Sequence, residues 1–274
     1  MVTTSDIMNL ALNLAGIDEI PQDSGIIVEG QNIKKVLFGV DMDTPELLLA
    51  KQLGYDAVIS HHPHTGFPEI NFHNVLNRQI DKMVEFGVPI NKAQKALKEK
   101  ISTLERASHP KNFDRVQSFA KLLNIPYMNI HMPCDIITEN FVQNHINNRL
   151  SSNQKATLKD VIDVLMEIPE YQKSPIKPVI RVGAPDDYAG KIAVLMAGGT
   201  NGGKNVFKAY FEAGVGTIIC MHVPDDVRSA VIEQNIGNVI VAGHMPSDSI
   251  GINILINELE KMGIEVTTTS GIIR

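Results

Sequence analysis

The chain writes one five-residue phrase twice, as His131-Met132-Pro133-Cys134-Asp135 and as His244-Met245-Pro246-Ser247-Asp248. Each copy follows a short apolar run, at 127–130 and at 238–242. A third apolar run, 56–60, ends in His61-His62-Pro63. Imidazole and carboxylate are donors that divalent transition metals accept readily. Three strand ends carrying four histidines and two aspartates make a metal site the leading reading.

Each of these residues also has a plainer role. Adjacent strand residues point to opposite faces, so His61 and His62 share a site only if the strand has ended there. Pro63 favours that ending, because it disfavours helix at His62 and stops regular pairing. Alone, the pair would fit one polar contact and one solvated ring equally well. The spacing from His131 to Asp135 resists a helical reading, since Pro133 intervenes after a strand, and a turn is expected. Asp135 and Asp248 could instead cap the segments that follow them. The repetition tips the balance toward chemistry. A pseudo-twofold axis would bring both copies together, where a bridging carboxylate can hold two ions about 3.5–4 Å apart.

Other candidates are weaker. Asp41, at a strand end, could add a carboxylate to the cleft or leave helix capping to Asp43 or Thr44. His222 reads as a cleft residue and not a ligand, His64 and His73 as neighbours of the mouth, and His109 and His145 as surface residues. Cys134 reads as a small spacer, because its counterpart in the repeat is Ser247. The stretch from Ala197 to Lys204 follows a strand and precedes a helix. Backbone N–H groups there, at Gly198, Gly199, Gly202 and Gly203, could bind an anion. A tight turn with close backbone packing is the equal alternative. The spacing matches neither a P-loop nor the dinucleotide fingerprint, which disfavours a dinucleotide-dependent oxidoreductase.

The positioning elements also repeat. Ile7, Leu10, Ala11 and Leu14 predict an opening helix with Ser5 as its cap. A strand at 35–40, a helix at 44–53 closed by Gly54, and the strand at 56–60 form a parallel strand-helix-strand unit. The same order recurs as a strand at 191–195, a helix at 202–213 followed by Gly214, and a strand at 217–220 leading to His222. The expected fold is α/β, with two intertwined strand-helix-strand repeats related by a pseudo-twofold axis and a helical insertion in the first. Residues 1–135 form the first repeat, with the insertion near 64–124. Residues 136–188 form a helical connector in which Thr157 caps a helix. Residues 189–274 form the second repeat and a final helix and strand. Within the insertion, Ile90, Ala93, Leu97, Ile101 and Leu104 make an apolar stripe, with Lys92, Lys95, Lys98 and Lys100 placed mostly on other faces. A packed helix, a lid and an oligomer contact would each produce that pattern.

Composition bounds the function. A chain of 274 residues can bury a large core, and 43% hydrophobic with 20% charged residues is ordinary for a soluble globular protein. A net charge of -6 argues against a general nucleic-acid-binding surface, though not against a small phosphorylated ligand. Two cysteines and an amino end unlike a secretory leader fit a reduced cytoplasm. No run approaches the ~20 apolar residues of a membrane span.

Taken together, these motifs resemble the NGG-interacting-factor-like family, whose bacterial members are often described as GTP cyclohydrolase I type 2 homologues. Ile59-Ser60-His61-His62-Pro63 resembles its Ile-Ser/Thr-His-His-Pro signature. His131 to Asp135 stands where that family has His-Thr-Asn-x-Asp, and Gly243 to Asp248 where it has Gly-His-x-x-x-Glu. The turn from Met196 to Gly203 resembles its Gly-Gly-x-Gly-Gly. The resemblance implies two intertwined α/β repeats, a toroidal homohexamer and a dinuclear metal site. It makes His61, His62, Asp135, His244 and Asp248 the ligands, with His131 adjacent. Asp248 departs from the family's glutamate by one methylene, and Met132-Pro133 removes two polar groups. The expected function is a dinuclear metal-dependent hydrolase using Zn, Mn or Fe on a small molecule, with nucleotides and phosphorylated compounds as candidates. The rival is a metal-binding regulatory or protein-interaction protein with little turnover.

Overall fold

The computed structural model describes residues 1–274, which form a mixed α/β fold with two sheets. In chain order the strands are β1 (Gly25–Val28), β2 (Lys35–Gly39), β3 (Ala57–Ser60), β4 (Tyr127–Asn129), β5 (Val179–Val182), β6 (Ile192–Leu195), β7 (Thr217–Cys220), β8 (Asn238–Val241) and β9 (Glu265–Thr269). The first sheet has the order β1-β4-β3-β2-β9 and the second β5-β8-β7-β6. β2, β3, β4 and β9 are mutually parallel, as are β6, β7 and β8, while β1 and β5 run antiparallel along the edges. Alternation assigns the side chains. Val36, Phe38, Ala57 and Ile59 enter one apolar layer, and Leu37, Val58 and Tyr127 the opposite one. In the second sheet Ala193, Ile218 and Val239 face one layer, and Val194, Ile219 and Ile240 the other. Both faces are covered, as predominantly parallel sheets require.

Several expectations are corrected. β1 and β5 lack a clean two-residue pattern and are only four residues long, so neither was legible; β5 lies in the stretch expected to be a helical connector. β9, expected to end the second repeat, pairs instead with β2 of the first sheet, from Lys35 opposite Glu265 to Gly39 opposite Thr269. The opening helix Thr4–Ala15 is capped by Thr3 and not Ser5. Thr3 Oγ1 accepts the Asp6 N–H at 3.1 Å, while the Asp6 carboxylate accepts the Thr3 N–H at 2.8 Å. Thr157 does cap Leu158–Leu165, through the same reciprocal pairing with Asp160.

The largest correction concerns the repeated pentapeptides. Pro133 does not break a helix; it sits in the first turn of the Met132–Leu150 helix, where no partner for its missing N–H is needed. Pro246 has the same place in the His244–Lys261 helix. His131 and Asp135, like His244 and Asp248, are therefore one helical turn apart. Neither aspartate caps its helix, because Asp135 lies inside the first turn and Asp248 just beyond it. These two helices pack against each other between the sheets. Residues 132–139 and 246–253 are buried without a break, so neither helix has a solvent-facing side over that stretch. Thr138 Oγ1 donates to the Ser247 carbonyl and accepts the Gly251 N–H, both at 2.9 Å. A Cβ at Gly251 would lie 2.1 Å from the Cys134 carbonyl oxygen. Gly251→Ala should therefore force the helices apart and destabilise the fold by roughly 2 kcal/mol, read from urea midpoints. An unchanged midpoint would show that the crossing is loose.

Candidate metal centre

The site lies where β3, β4 and β8 end and the two central helices begin. β3 stops at Ser60, and the chain turns: Ser60 Oγ donates to the His62 carbonyl at 2.8 Å. That turn lets His61 and His62 face one place. His61 Nδ1–H donates to the Ile130 carbonyl at 3.0 Å, and its Nε2 points between Asp135 Oδ1 (3.3 Å) and Asp248 Oδ2 (3.7 Å). His62 Nδ1–H donates to Asp41 Oδ1 at 2.7 Å, leaving Nε2 3.5 Å from Asp248 Oδ2. His131 Nδ1–H donates to Asp23 Oδ2 at 2.6 Å, leaving Nε2 3.5 Å from Asp135 Oδ2. His244 Nε2 lies 3.3 Å from Asp248 Oδ2. Three imidazoles thus share one arrangement, with Nδ1 held by an oxygen and Nε2 free at the centre, the tautomer that metal-ligating histidines adopt.

Four overlapping groups of donors result: His61, His62 and His131; Asp41, His62 and His64; His62, His244 and Asp248; and His61, Asp135 and Asp248. Within each group the donor atoms lie within 4.8 Å of one another. His61 Nε2, Asp135 Oδ1 and both oxygens of Asp248 are buried with no hydrogen-bond partner. Unpaired buried polar atoms are costly, and here they converge on one another. A divalent cation would satisfy them together, so the residues fit a metal.

The electrostatics show the same tension. Burial pushes the Asp135 carboxyl up to about 8, with His131 opposing and the Asp248 and Asp23 carboxylates adding. Burial acts upward on Asp248 too, but the surrounding His61, His62 and His244 hold it below the ordinary carboxylate range. For His62, burial favours the neutral ring, yet the neighbouring Asp248 and Asp41 carboxylates prevail and raise it to about 10. Asp41 falls to about 2, chiefly through its bond to His62. His61 is lowered by complete burial. Burial, then the His244 ring, lowers His222, with the Lys100 ammonium adding to the effect.

All five residues expected as ligands come together, and His131 belongs to the cluster as closely as they do. Asp41 is present at its rim, bonded also to His64 Nε2 at 3.0 Å. Cys134 is wholly buried in the core, where burial raises its thiol, and Tyr171 Oη meets Ser247 Oγ at 3.0 Å, so both positions serve packing. His222 lies beside His244, ring centroids 5.4 Å apart, in the cleft as expected. His73 does not line the cavity, His109 is exposed, and His145, expected at the surface, is part-buried beside Glu167 at 3.1 Å. Asp23 was missed. It precedes an unrecognised edge strand, and only the pairing of Gly25 with Asn129 carries it to His131.

A cavity of about 410 Å³ opens from the cluster. His62, His131, Asp135, His244 and Asp248 form its floor, and Phe72, Phe207, Tyr210 and Leu104 contribute apolar wall. Of the glycine turn, Gly199 and Gly202 face the cavity; Gly198 and Gly203 do not. The turn is also tightly packed: Gly199, at φ +82°, would bring a Cβ to 3.0 Å from Val75, and Gln79 Nε2 donates to the carbonyls of Gly198 (2.8 Å) and Thr200 (2.6 Å). Just before it, the Met196 and Ala197 N–H groups each donate at 2.9 Å to Glu139 Oε2, a buried carboxylate that also meets Arg78 at 3.2 Å. The anion held at this strand end is the chain's own.

Comparison with known proteins agrees with this fold. No protein of curated description matches the chain. A NIF3 superfamily protein from Sphaerobacter thermophilus is 38% identical, with a TM-score of 0.96 over 98% of both chains. Reduced HcgD from Methanocaldococcus jannaschii (15% identity, TM-score 0.59, 98% of both chains) and TTHA1606 from Thermus thermophilus (16%, 0.54, 97% of both) share the fold. The profile of the family described as Duf34/NIF3 (NGG1p interacting factor 3) matches residues 3–272, and the chain belongs to that family.

Proposed function

We propose that this chain is a metal-dependent hydrolase of a small molecule, holding two divalent ions, Zn, Mn or Fe, through His61, His62, Asp135, His244 and Asp248 with His131. The observation that carries this reading is the convergence of unpartnered buried donors, His61 Nε2, Asp135 Oδ1 and Asp248 Oδ1 and Oδ2, at the floor of a cavity. Imidazole with carboxylate suits those borderline ions better than Ca or Mg. A divalent ion there supplies a Lewis acid that acidifies water near neutral pH and polarises the group under attack. The protein's own groups do the rest. Asp41 and Asp23 orient His62 and His131 through their Nδ1–H bonds. The apolar wall displaces bulk water and strengthens charge interactions at the floor. A nucleotide or another phosphorylated compound fits the cavity size. A cavity large enough for a small molecule, with the donors at its floor, favours turnover above a role in metal binding alone.

The matching strand orders of the two sheets support the reading of two related halves about a pseudo-twofold axis. Exposed Leu48, Leu49 and Leu53, with Phe119 and Leu122 on the adjoining helix, support self-association, with six copies by family resemblance. No helix is long and apolar enough to cross a membrane.

Elemental analysis of purified protein tests the ligands. His62→Ala and His244→Ala should each lower bound metal, while His109→Ala should not; full metal in His244→Ala would remove that residue from the set. Asp23→Asn should weaken metal affinity about tenfold or more, because His131 loses the carboxylate that fixes its ring. Unchanged affinity would leave His131 outside the site. Loading must displace protons, since ligands bind deprotonated. With His62 raised to about 10 and Asp135 to about 8, both are largely protonated at pH 7. Affinity should therefore fall as pH drops below about 10 and more steeply below about 8, with protons released on binding. Calorimetry in two buffers of different ionisation enthalpy reads that release, and its absence at pH 7 would contradict the assignment.

A further inference from the structure

The inserted helix Ile90–Ser108 puts a cation where its apolar stripe predicts a hydrocarbon. Ala93 and Leu97 are fully buried, and Leu104 packs against the same core. Lys100 falls three residues after Leu97 and four before Leu104, on that inward face and not on the outer faces with Lys95 and Lys98. It is part-buried and, with Leu104, lines the cavity. The neighbouring cavity cations are already engaged. Lys82 Nζ lies 3.3 Å from Glu85 and 3.6 Å from Glu139, and Lys111 Nζ lies 3.6 Å from Glu69. Lys100 has neither a carboxylate partner nor a side-chain hydrogen bond. Of the three lysines that line the cavity, Lys100 is therefore the one whose charge is left for an incoming anion.

It shares that cavity with the floor: His244, a proposed ligand, adjoins His222, and both line the same space as Lys100. The helix bearing Lys100 packs on Lys204–Glu212, which follows the glycine turn, and Thr200 and Asn201 of that turn face the same cavity. Lys100, Thr200 and Asn201 offer more donors than the two oxygens of a carboxylate need and suit the three oxygens of a phosphate. Leu104, Phe207 and Tyr210 line the same cavity as this group and the metal donors.

We infer that Lys100 anchors the phosphate of a phosphorylated small molecule whose apolar or planar body lies along Leu104, Phe207 and Tyr210, presenting its other end to the metal donors. The inference rests on the metal-site reading for which end reacts. The anchor itself does not require it.

Phenylphosphonate, a dianion with no scissile ester, is the probe, with benzoate as the carboxylate comparison. Binding is measured by calorimetry at low salt on metal-loaded full-length protein. Lys100→Met should weaken phenylphosphonate about tenfold or more, Lys100→Arg should retain it, and Lys98→Ala, which removes an exposed charge from the same helix, should change little. Melting temperature and metal content, measured on each variant, should match the parent protein. Equal binding by Lys100→Met and the parent, equal weakening by Lys98→Ala, benzoate binding as tightly as phenylphosphonate, or no binding by the parent would each overturn the anchor. Protein that never takes up metal but still shows the Lys100 dependence would sink the hydrolase reading and leave the anchor standing. Full metal content without Lys100 dependence would do the reverse.

Discussion

The molecule depends on the contact between two helix beginnings. Gly251 lies against the Cys134 carbonyl, and Thr138 ties the Met132–Leu150 helix to the His244–Lys261 helix through two hydrogen bonds. That crossing fixes where Asp135 and Asp248 stand, since each projects from near the beginning of its helix. Two carboxylates forced together in a water-poor interior repel one another unless positive charge intervenes. The surrounding imidazoles supply part of that charge, and their free Nε2 atoms leave room for more. For Asp135, in the first turn of its helix, the positive end of the helix dipole helps as well.

The chemistry is more legible in the sequence than the frame that holds it. The duplicated pentapeptide and His61-His62 single out by residue type alone six side chains that the fold brings together, because few side chains carry atoms a metal accepts. The backbone beneath them is harder to read at Pro133, where a proline after a strand argues against helix. Proline is nevertheless compatible with the first turn, and that turn is what brings a histidine and an aspartate four residues apart onto one face. Asp23 could not be found from sequence. Its role arises from strand pairing across more than a hundred residues, and nothing in Pro21-Gln22-Asp23-Ser24 marks it as more than a turn. Lys100 illustrates the reverse case. Its helix is legible, but residue type suggests an outward face while spacing places it inward.

The glycine turn shows how one local pattern serves two ends. Positive φ at Gly198, Gly199 and Gly203 lets the chain double back tightly between β6 and the next helix. The inserted helices then close over it, with Gln79 bonding to its carbonyls and Arg78 reaching Glu139 beneath. The insertion is thereby held by polar contacts at the same wall that bounds the cavity, so its side chains keep fixed positions facing the donors.

The pairing of β9 with β2 has a consequence for how the protein is made. Glu265–Thr269 are synthesised long after Lys35–Gly39, yet they complete the sheet that bears His61 and His62. On the ribosome the first sheet must wait with one hydrogen-bonding edge open until some two hundred and thirty further residues have emerged. Ser270, just past β9, then bonds to Asp41 on both its N–H (3.2 Å) and its carbonyl (2.8 Å), seating the carboxylate that steadies His62. Contacts so distant in sequence form slowly. The donor cluster is consequently a late product of folding, and nascent chains lacking this last strand carry the histidines without the geometry to use them.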